Sequence, residues 1–374
     1  MGTTTDKSSL LLEYGNSRAE YAPVLDDICR FVRPLSSVRG TETGSVTLST
    51  GGKDPFIEGE LRIEAITGDG SDRSFFRVRA GTNSFVLMYN PPEDSWRLRE
   101  NAAFGYLSRY LLAKGIPVPR VYFCDAQNGF FLMEDLGDVS LHSYIIKHPE
   151  ARKTVLRKAI RLLASFHESA GRDLDSSFLL DGGLYSPEFV LEKELEYFRR
   201  SFLCDFLGIH VSWMFLRDDF SKLAEVAGSY EDSSCIHRDF QSRNIMIKQG
   251  KLRLIDYQGM RYGPCEYDLA SLMIDPYMGI SAKERLSLIQ LYSRLRKSFS
   301  PARYEVVSLC RNLQILAAFA FLGKQKGKTF FLRFIPRAWK ELIRNRSMLV
   351  HLGLKNLLNV LNLAENRMKA VLIN

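Results

Sequence analysis

The sequence predicts an α+β protein in which a strand-rich region precedes a longer, mostly helical one. Between residues 61 and 137 short apolar runs alternate with tight turns, interrupted by one segment of helical spacing. From about residue 140 amphipathic stretches dominate, and an island of short strands breaks them at 235–260. The expected organisation is an N-terminal extension or linker over 1–58, a strand-rich domain over 59–138 and a helical domain over 139–374.

Residues 36–54, SSVRGTETGSVTLSTGGKD, are rich in Ser, Thr and Gly and read as a linker or mobile loop. Gly52-Lys53 suggests a phosphate loop, but Thr47 stands where its first Gly belongs and Asp54 where Ser or Thr belongs, so that reading fails. LRIEAI (61–66), FFRVRA (75–80) and SFVLMYN (84–90) have strand patterns joined by tight turns, the first of them Gly68-Asp69-Gly70-Ser71. WRLRENAAFGYLSRYLLAK (96–114) has helical spacing with Gly115 as its stop. VYFCD (121–125) and GFFLMEDLG (129–137) give two more strands. Helices are expected over 151–170 and within 187–228, and again after the island.

A chain of 374 residues, 45% hydrophobic, can bury two cores of ordinary domain size. Its six cysteines form no CxxC pair, so reduced thiols are expected rather than a zinc site or a disulfide scaffold. MGTTTDKSSLLLEYGNSRAEY is not a signal peptide pattern. The most apolar helical run, Ile315–Leu322, is well short of the ~20 residues that span a bilayer. The expected setting is therefore cytoplasmic, with no membrane span. The net charge of +8 is uneven: residues 281–374 hold 18 Lys/Arg against 4 Asp/Glu. Such a region suits phosphate, nucleic acid or an acidic membrane, or is simply a set of solvated helix faces. Aromatics do not interleave its charges in the manner of a stacking platform, so no nucleic-acid partner is expected.

The chemistry concentrates in IHRDFQSRNIMI (236–247) and the strand LRLI that follows it. Asp239 is followed by Asn244 after five residues, and Asn244 by Asp256 after twelve. Asn and Asp oxygens suit Mg²⁺, a hard cation that shares its shell with water and substrate phosphates. The remaining carboxylate, Asp239, is then free to orient a substrate hydroxyl and accept its proton. Phosphoryl transfer asks for little more. On this reading Asn244 and Asp256 are metal ligands, Arg238 supports the loop through its charge, and His237 is a hydrogen-bonding spacer.

These motifs resemble the aminoglycoside phosphotransferase/choline kinase group: IHRDFQSRNIMI its catalytic loop, LIDYQG (254–259) its metal-binding strand end, and YGPCEYDLASL (262–272) its following segment. A narrower likeness, over roughly 60–340, is to bacterial N-acetylmuramate/N-acetylglucosamine anomeric kinases of cell-wall recycling. It rests on ITGDGSDRSFFRVR (66–79), NPPED (90–94), GIPVPRVYFCDAQNGFFLMEDLGD (115–138), IDYQGMRYGPCEYDLASLMIDPY (255–277), RNLQILAAFAFL (311–322) and FIPR (334–337). The resemblance implies a bilobal protein-kinase-like fold, ATP and Mg²⁺ as cofactors, and a small-molecule sugar as the partner. It implies that Gly68, Asp69, Gly70 and Ser71 cover the ATP phosphates and that Met133, Glu134 and Leu136 belong to a hinge reading adenine. It places Asp268 behind the catalytic loop as a brace and Glu100 on the helix facing the phosphate grip. The strand Lys that protein kinases pair with such a Glu is missing, since Met88 stands near its position. Arg73 and Arg77 are the available substitutes.

Asp275 is expected either to meet the sugar or to cap a helix. Trp213, Phe202 and Tyr197 are expected in the core or on a sugar face. Kinases for another hydroxyl acceptor (an aminoglycoside, choline or a thiosugar) share the chemistry. A non-catalytic nucleotide-binding regulator is the alternative of a different class, and a nucleic-acid binder using the basic region is a third.

Overall fold

The computed structural model describes residues 46–48, 61–66, 73–230 and 234–373, in two compact units. The turn Gly68, Asp69, Gly70, Ser71 and most of the 1–58 extension lie outside the described residues.

The first unit takes the chain up to Leu112 together with Val118–Leu136. Its strands are β1 (Val46–Leu48), β2 (Leu61–Ile66), β3 (Ser74–Ala80), β4 (Asn83–Tyr89), β5 (Val121–Asp125) and β6 (Phe130–Glu134). They form one antiparallel sheet in the order β1-β2-β3-β4-β6-β5. One correction concerns β1: the 36–54 stretch was expected to be a linker, yet Val46-Thr-Leu48 pairs with Leu61–Ile63. Two apolar β-formers around a threonine suffice when an open edge is beside them.

Alternation explains β3, where Phe76 and Val78 are buried and Arg79 is exposed. β6 is different, because Phe130, Phe131, Leu132 and Met133 are all buried. The helix α1 (Ser95–Ala113) covers it, with Phe104 edge-on to Phe131 at 5.0 Å between ring centroids. Asp94 starts α1 by accepting the Arg97 amide at 2.7 Å, and Gly115, at φ 75°, follows its end.

The second unit is Ala113–Pro117 with Gly137–Asn374. It begins with α2 (Leu141–Lys147), capped by Ser140 and Ser143 reciprocally, and α3 (Arg152–Ser169). Pro187–Phe206 is helical with π-type turns over Val190–Leu195 and Phe198–Phe206. Then follow α4 (Trp213–Gly228), β7 (Cys235–Ile236), β8 (Ile245–Lys248), β9 (Lys251–Leu254), β10 (Arg261–Tyr262), α5 (Glu266–Met273), α6 (Ala282–Leu295), α7 (Pro301–Ala320), α8 (Ile335–Arg344), α9 (Arg346–His351) and α10 (Lys355–Ile373). β7 pairs with β10 and β8 with β9, both antiparallel, so the segment 237–244 is a loop between two small ribbons.

The core of this unit gathers on α7, whose Val307, Leu309, Leu313 and Leu316 are buried with Phe198, Phe202 and Phe220. The apolar stretch thus extends well beyond the Ile315–Leu322 run. By length and composition Pro301–Gln325 could cross a membrane, but 78% of its apolar window is buried inside the unit, as a core helix requires. Phe202 is core, stacked on Phe198 and Trp339, and Tyr197 and Trp213 pack against that core.

Gly129 closes the β5–β6 hairpin at φ 78°, its amide donating to Asp125 and its carbonyl accepting the Asn90 amide, both at 2.8 Å. A Cβ there would run into the Asn90 carbonyl oxygen. The left-handed backbone alone costs an L-residue ~1–2 kcal/mol. Gly129→Ala is therefore expected to lower stability by more than about 2 kcal/mol, read as a reduced urea midpoint at unchanged m-value.

Candidate active site

The loop 237–244 carries Asp239 and Asn244 of the predicted constellation, Asp256 follows β9, and the second unit holds the loop from behind. Its first two amides, of His237 and Arg238, donate to the two oxygens of Asp268 at 2.6 and 2.8 Å. Asp268 sits in the first turn of α5, where the helix N-terminus favours negative charge. Its Oδ2 also lies 3.0 Å from His167 Nε2, and His167 Nδ1 lies 2.7 Å from the Tyr292 hydroxyl. Burial raises the Tyr292 hydroxyl well above its usual range, so it remains a proton donor. A donating tyrosine on Nδ1 leaves Nε2 to carry the proton towards Asp268.

Further along, the Ser242 amide donates to Asp275 Oδ2 and the Tyr277 amide to Asp275 Oδ1, both at 2.8 Å. Asp275 is buried, and burial pushes its carboxyl above the usual carboxylate range. Through these two bonds it ties the loop to the segment after α5.

Asp239, Asn244 and Asp256 do converge. Asn244 Nδ2 donates to the Asp239 carbonyl at 3.0 Å and lies 3.5 Å from Asp256 Oδ2. Gln258 Nε2 donates to Asp256 Oδ1 at 2.8 Å. Asp256 is held at φ 65° and Arg238 at φ 74°, positions that bulky residues avoid. Asn244 turns its amide nitrogen to these protein acceptors, so its Oδ1 is the atom left for a cation. Asn244 and Asp256 thus present hard oxygen donors in numbers that fit Mg²⁺ completed by phosphate and water.

The Asp239 side chain is 40% exposed. Its Oδ1 accepts from Arg311 Nη2 at 3.0 Å, while its Oδ2 has no hydrogen-bond donor among the described residues. Burial would raise this carboxyl, but Arg311 and then Arg238 outweigh it and hold it below the usual carboxylate range. Arg311 in turn donates to the Tyr267 hydroxyl at 3.1 Å and to Gln314 at 2.7 Å. Tyr267 and Tyr185 both donate to buried Glu194, at 2.8 and 2.7 Å. Arg238 and Arg261 lie over the Phe189 ring at 5.1 and 3.7 Å. Burial, and then Arg238, pull the Arg261 guanidinium down to about 10.

Residues 62–306 match the phosphotransferase enzyme family. The chain belongs to this family. It is a phosphotransferase with a hydroxyl acceptor, and its fold is of the protein-kinase-like kind. It is 25% identical over 307 residues to the N-acetylmuramate/N-acetylglucosamine kinase of Pseudomonas aeruginosa, covering 77% of this chain and 85% of that one. The enzyme of the same name from Neisseria meningitidis is 24% identical, with 77% and 87% covered. Among solved structures, a choline kinase from Streptococcus pneumoniae superposes with a TM-score of 0.55 at 17% identity, covering 86% of this chain and 99% of that one. A microcompartment-associated aminopropanol kinase also gives 0.55, at 16% identity, with 79% and 94% covered.

In this phosphotransferase several expected roles take a different physical form. His237 supports the loop through its backbone, not its ring. Both ring nitrogens are buried without a partner among the described residues, and the ring packs between Phe166 and Phe240. In the first unit, Glu100 finds its partner in Arg73 at 3.4 Å, and its Oε2 accepts from Asn90 at 3.0 Å. Arg77 is instead bound to Asp135 at 2.8 Å, just after β6. Met133 and Glu134 end β6, Leu136 is buried next to it, and the Glu134 amide is already given to the Arg120 carbonyl at 2.8 Å. Arg311 was missed. It lies in RNLQ on an apolar helix, and a lone Arg among buried neighbours on α7 was the available signal.

Removing the Asp268 carboxylate leaves three buried donors without an acceptor, at ~1–3 kcal/mol each. Asp268→Ala is expected to lower unfolding free energy by at least about 3 kcal/mol in chemical denaturation. Asp268→Asn, which keeps one acceptor oxygen, should lie between it and the parent.

Proposed function

We propose that this chain is an ATP- and Mg²⁺-dependent kinase that phosphorylates a sugar hydroxyl, namely the anomeric hydroxyl of N-acetylmuramate and/or N-acetylglucosamine. The names of the relatives support the acceptor class. The observation that carries the chemistry is the state of Asp239: one oxygen fixed by Arg311, the other open, beside Asn244 and Asp256.

In this reading Asp239 Oδ2 accepts the hydroxyl proton of the sugar. The sugar oxygen forms a bond to the γ-phosphorus of ATP as the bond to the β–γ bridging oxygen breaks, and ADP leaves with that oxygen. Asn244 and Asp256 would hold Mg²⁺, which when bound neutralises phosphate charge. Arg73, braced by Glu100, stands in for the missing strand Lys as a phosphate grip, and the turn 68–71 and the segment Met133–Leu136 are assigned to phosphates and adenine. A carboxyl kept below its ordinary range is a weak base. It suits a hemiacetal hydroxyl, which is more acidic than an ordinary alcohol. A cationic acceptor such as choline or an aminoglycoside fits less well, because Arg238, Arg243 and Arg311 all lie on or against the loop.

Phosphorus NMR with ATP, Mg²⁺ and N-acetylmuramate, N-acetylglucosamine, choline or kanamycin tests this directly. An acid-labile sugar 1-phosphate is expected from the amino sugars, and turnover of choline or kanamycin alone would discard the acceptor. Asp239→Asn should lower kcat by ~10²–10⁴ and Asp256→Ala should remove turnover, both in a protein that still melts cooperatively. Turnover within tenfold of the parent in either variant would sink the assignment.

The pH dependence has a defined sign. The folded-state carboxyl of Asp239 is depressed, so it stays ionised below the ordinary carboxylate range, and activity falls only as pH drops through that depressed value. Arg311→Met removes the largest opposing charge and leaves burial, Arg238 and His237 acting on Asp239. The acidic limb of kcat/KM should move to higher pH. In Arg311→Lys, which restores a cation, it should move back. A limb that stays in place in both variants would remove Arg311 from this role.

A further inference from the structure

Beside the loop, on the second unit, lies a patch that the transfer chemistry does not use. The Arg243 guanidinium is 4.4 Å from the Tyr277 ring centroid and 4.8 Å from that of Phe330. The Arg333 guanidinium is 3.7 Å from Phe330 and 4.8 Å from Phe334. Phe330 is therefore shared by two cations, and it is 37% exposed, one of the exposed large apolar side chains of the molecule. Tyr277 and Phe334 pack edge-on at 4.5 Å over buried Phe319 and Phe331. The aromatics do interleave with the charges here, contrary to the sequence expectation.

This patch is fastened to the reacting loop. Arg243 stands between Ser242 and Asn244, and Asp275 clamps the amides of Ser242 and Tyr277 with its two oxygens. The segment that carries Phe330 and Arg333 is one-signed, with buried Asp275 close to Arg243. No Asp or Glu occurs between residues 306 and 340, whereas Lys324, Lys326, Lys328, Arg333 and Arg337 do. Arg333 is exposed and makes no ion pair with a described carboxylate. A guanidinium stacked on a ring keeps its N–H edge outward, so it can hold a carboxylate in two hydrogen bonds while it stacks.

We propose that Arg243, Arg333 and the Phe330 ring they share form an acceptor subsite for a carboxylate-bearing sugar, and so set a preference for an anionic over a neutral amino sugar. This rests on the kinase reading above and adds the residues that choose within it. The alternative is that the cations merely staple Thr329–Phe334 to the loop.

The test uses the full chain with N-acetylmuramate, which carries a carboxylate, and N-acetylglucosamine, which lacks it. The two kcat/KM values are measured with ATP and Mg²⁺, and N-acetylmuramate binding is measured separately by calorimetry without ATP. In Arg333→Met the ratio of kcat/KM for the anionic over the neutral sugar should fall about tenfold, mostly through KM, as one bidentate charged contact is lost. Affinity for N-acetylmuramate should weaken in step, and Arg333→Lys should recover part of both. Circular dichroism melting shows whether the fold is kept, and Arg243→Lys offers a second variant inside the loop. A ratio and an affinity within twofold of the parent in Arg333→Met and Arg243→Lys overturn the subsite. So does a parent protein that does not bind N-acetylmuramate. Binding that Arg333→Met weakens, without turnover of either sugar by the parent, would retain the subsite and overturn the kinase reading instead.

Discussion

Two adjacent backbone amides that face away from any strand partner are the constraint on which this site depends. Arg238 sits at φ 74°, which turns its amide and that of His237 to the same side. Only a group with two acceptor oxygens, buried at that spot, satisfies both. Asp268 is that group, and its place in the first turn of α5 favours its charge. Two residues past the end of the same helix, Asp275 repeats the device on Ser242 and Tyr277. One short helix thus grips the loop on either side of Asp239. The Asp239 side chain is left partly exposed, while the carboxylates that hold the loop backbone are buried.

The same region gathers more positive charge than a core usually carries. Arg238, Arg261 and Arg311 are at most partly exposed and close to one another, and an unpaired buried cation is costly. The structure answers with graded partners. Asp239 takes Arg311, tyrosine hydroxyls and Glu194 extend that pair inward, and Phe189 offers its ring face to the other two. Arg261 also has the Leu184 carbonyl at 3.2 Å and Asp181 at 3.9 Å.

How much of this could be read in the sequence follows from how far apart the partners lie. Asp239, Asn244 and Asp256 fall within 18 residues, so their spacing alone indicated convergence. β2 to β5 and α1 were legible within a residue because local apolar periodicity builds them, whereas β1 was missed and β6 ends three residues before the stretch read for it. Arg311 acts on Asp239 across 72 residues, and on α7 it has no local pattern that separates it from a surface Arg. Arg243 and Arg333 meet through Phe330, and nothing in either neighbourhood announces the other. The π-type turns in 187–206 were also invisible, since their side chains keep an ordinary helical pattern. Asp275, two residues past a helix, looked like a ligand or a cap because sequence cannot show that both oxygens are already spent on amides.

Without a lysine near Met88, the helix glutamate is paired with a different cation. A lysine in a third strand is a point charge and needs its helix glutamate to hold it in place. Here the helix glutamate remains, but its cation comes from Arg73, just before β3, and not from β4. Asn90 takes the other oxygen of Glu100, so the carboxylate is fixed on both sides. Arg77, which looked equally eligible, is committed to Asp135, and Ser84 donates to the same carboxylate at 2.6 Å. Arg73, just before β3, and Arg77, four residues further on within it, therefore have separate partners, Glu100 and Asp135.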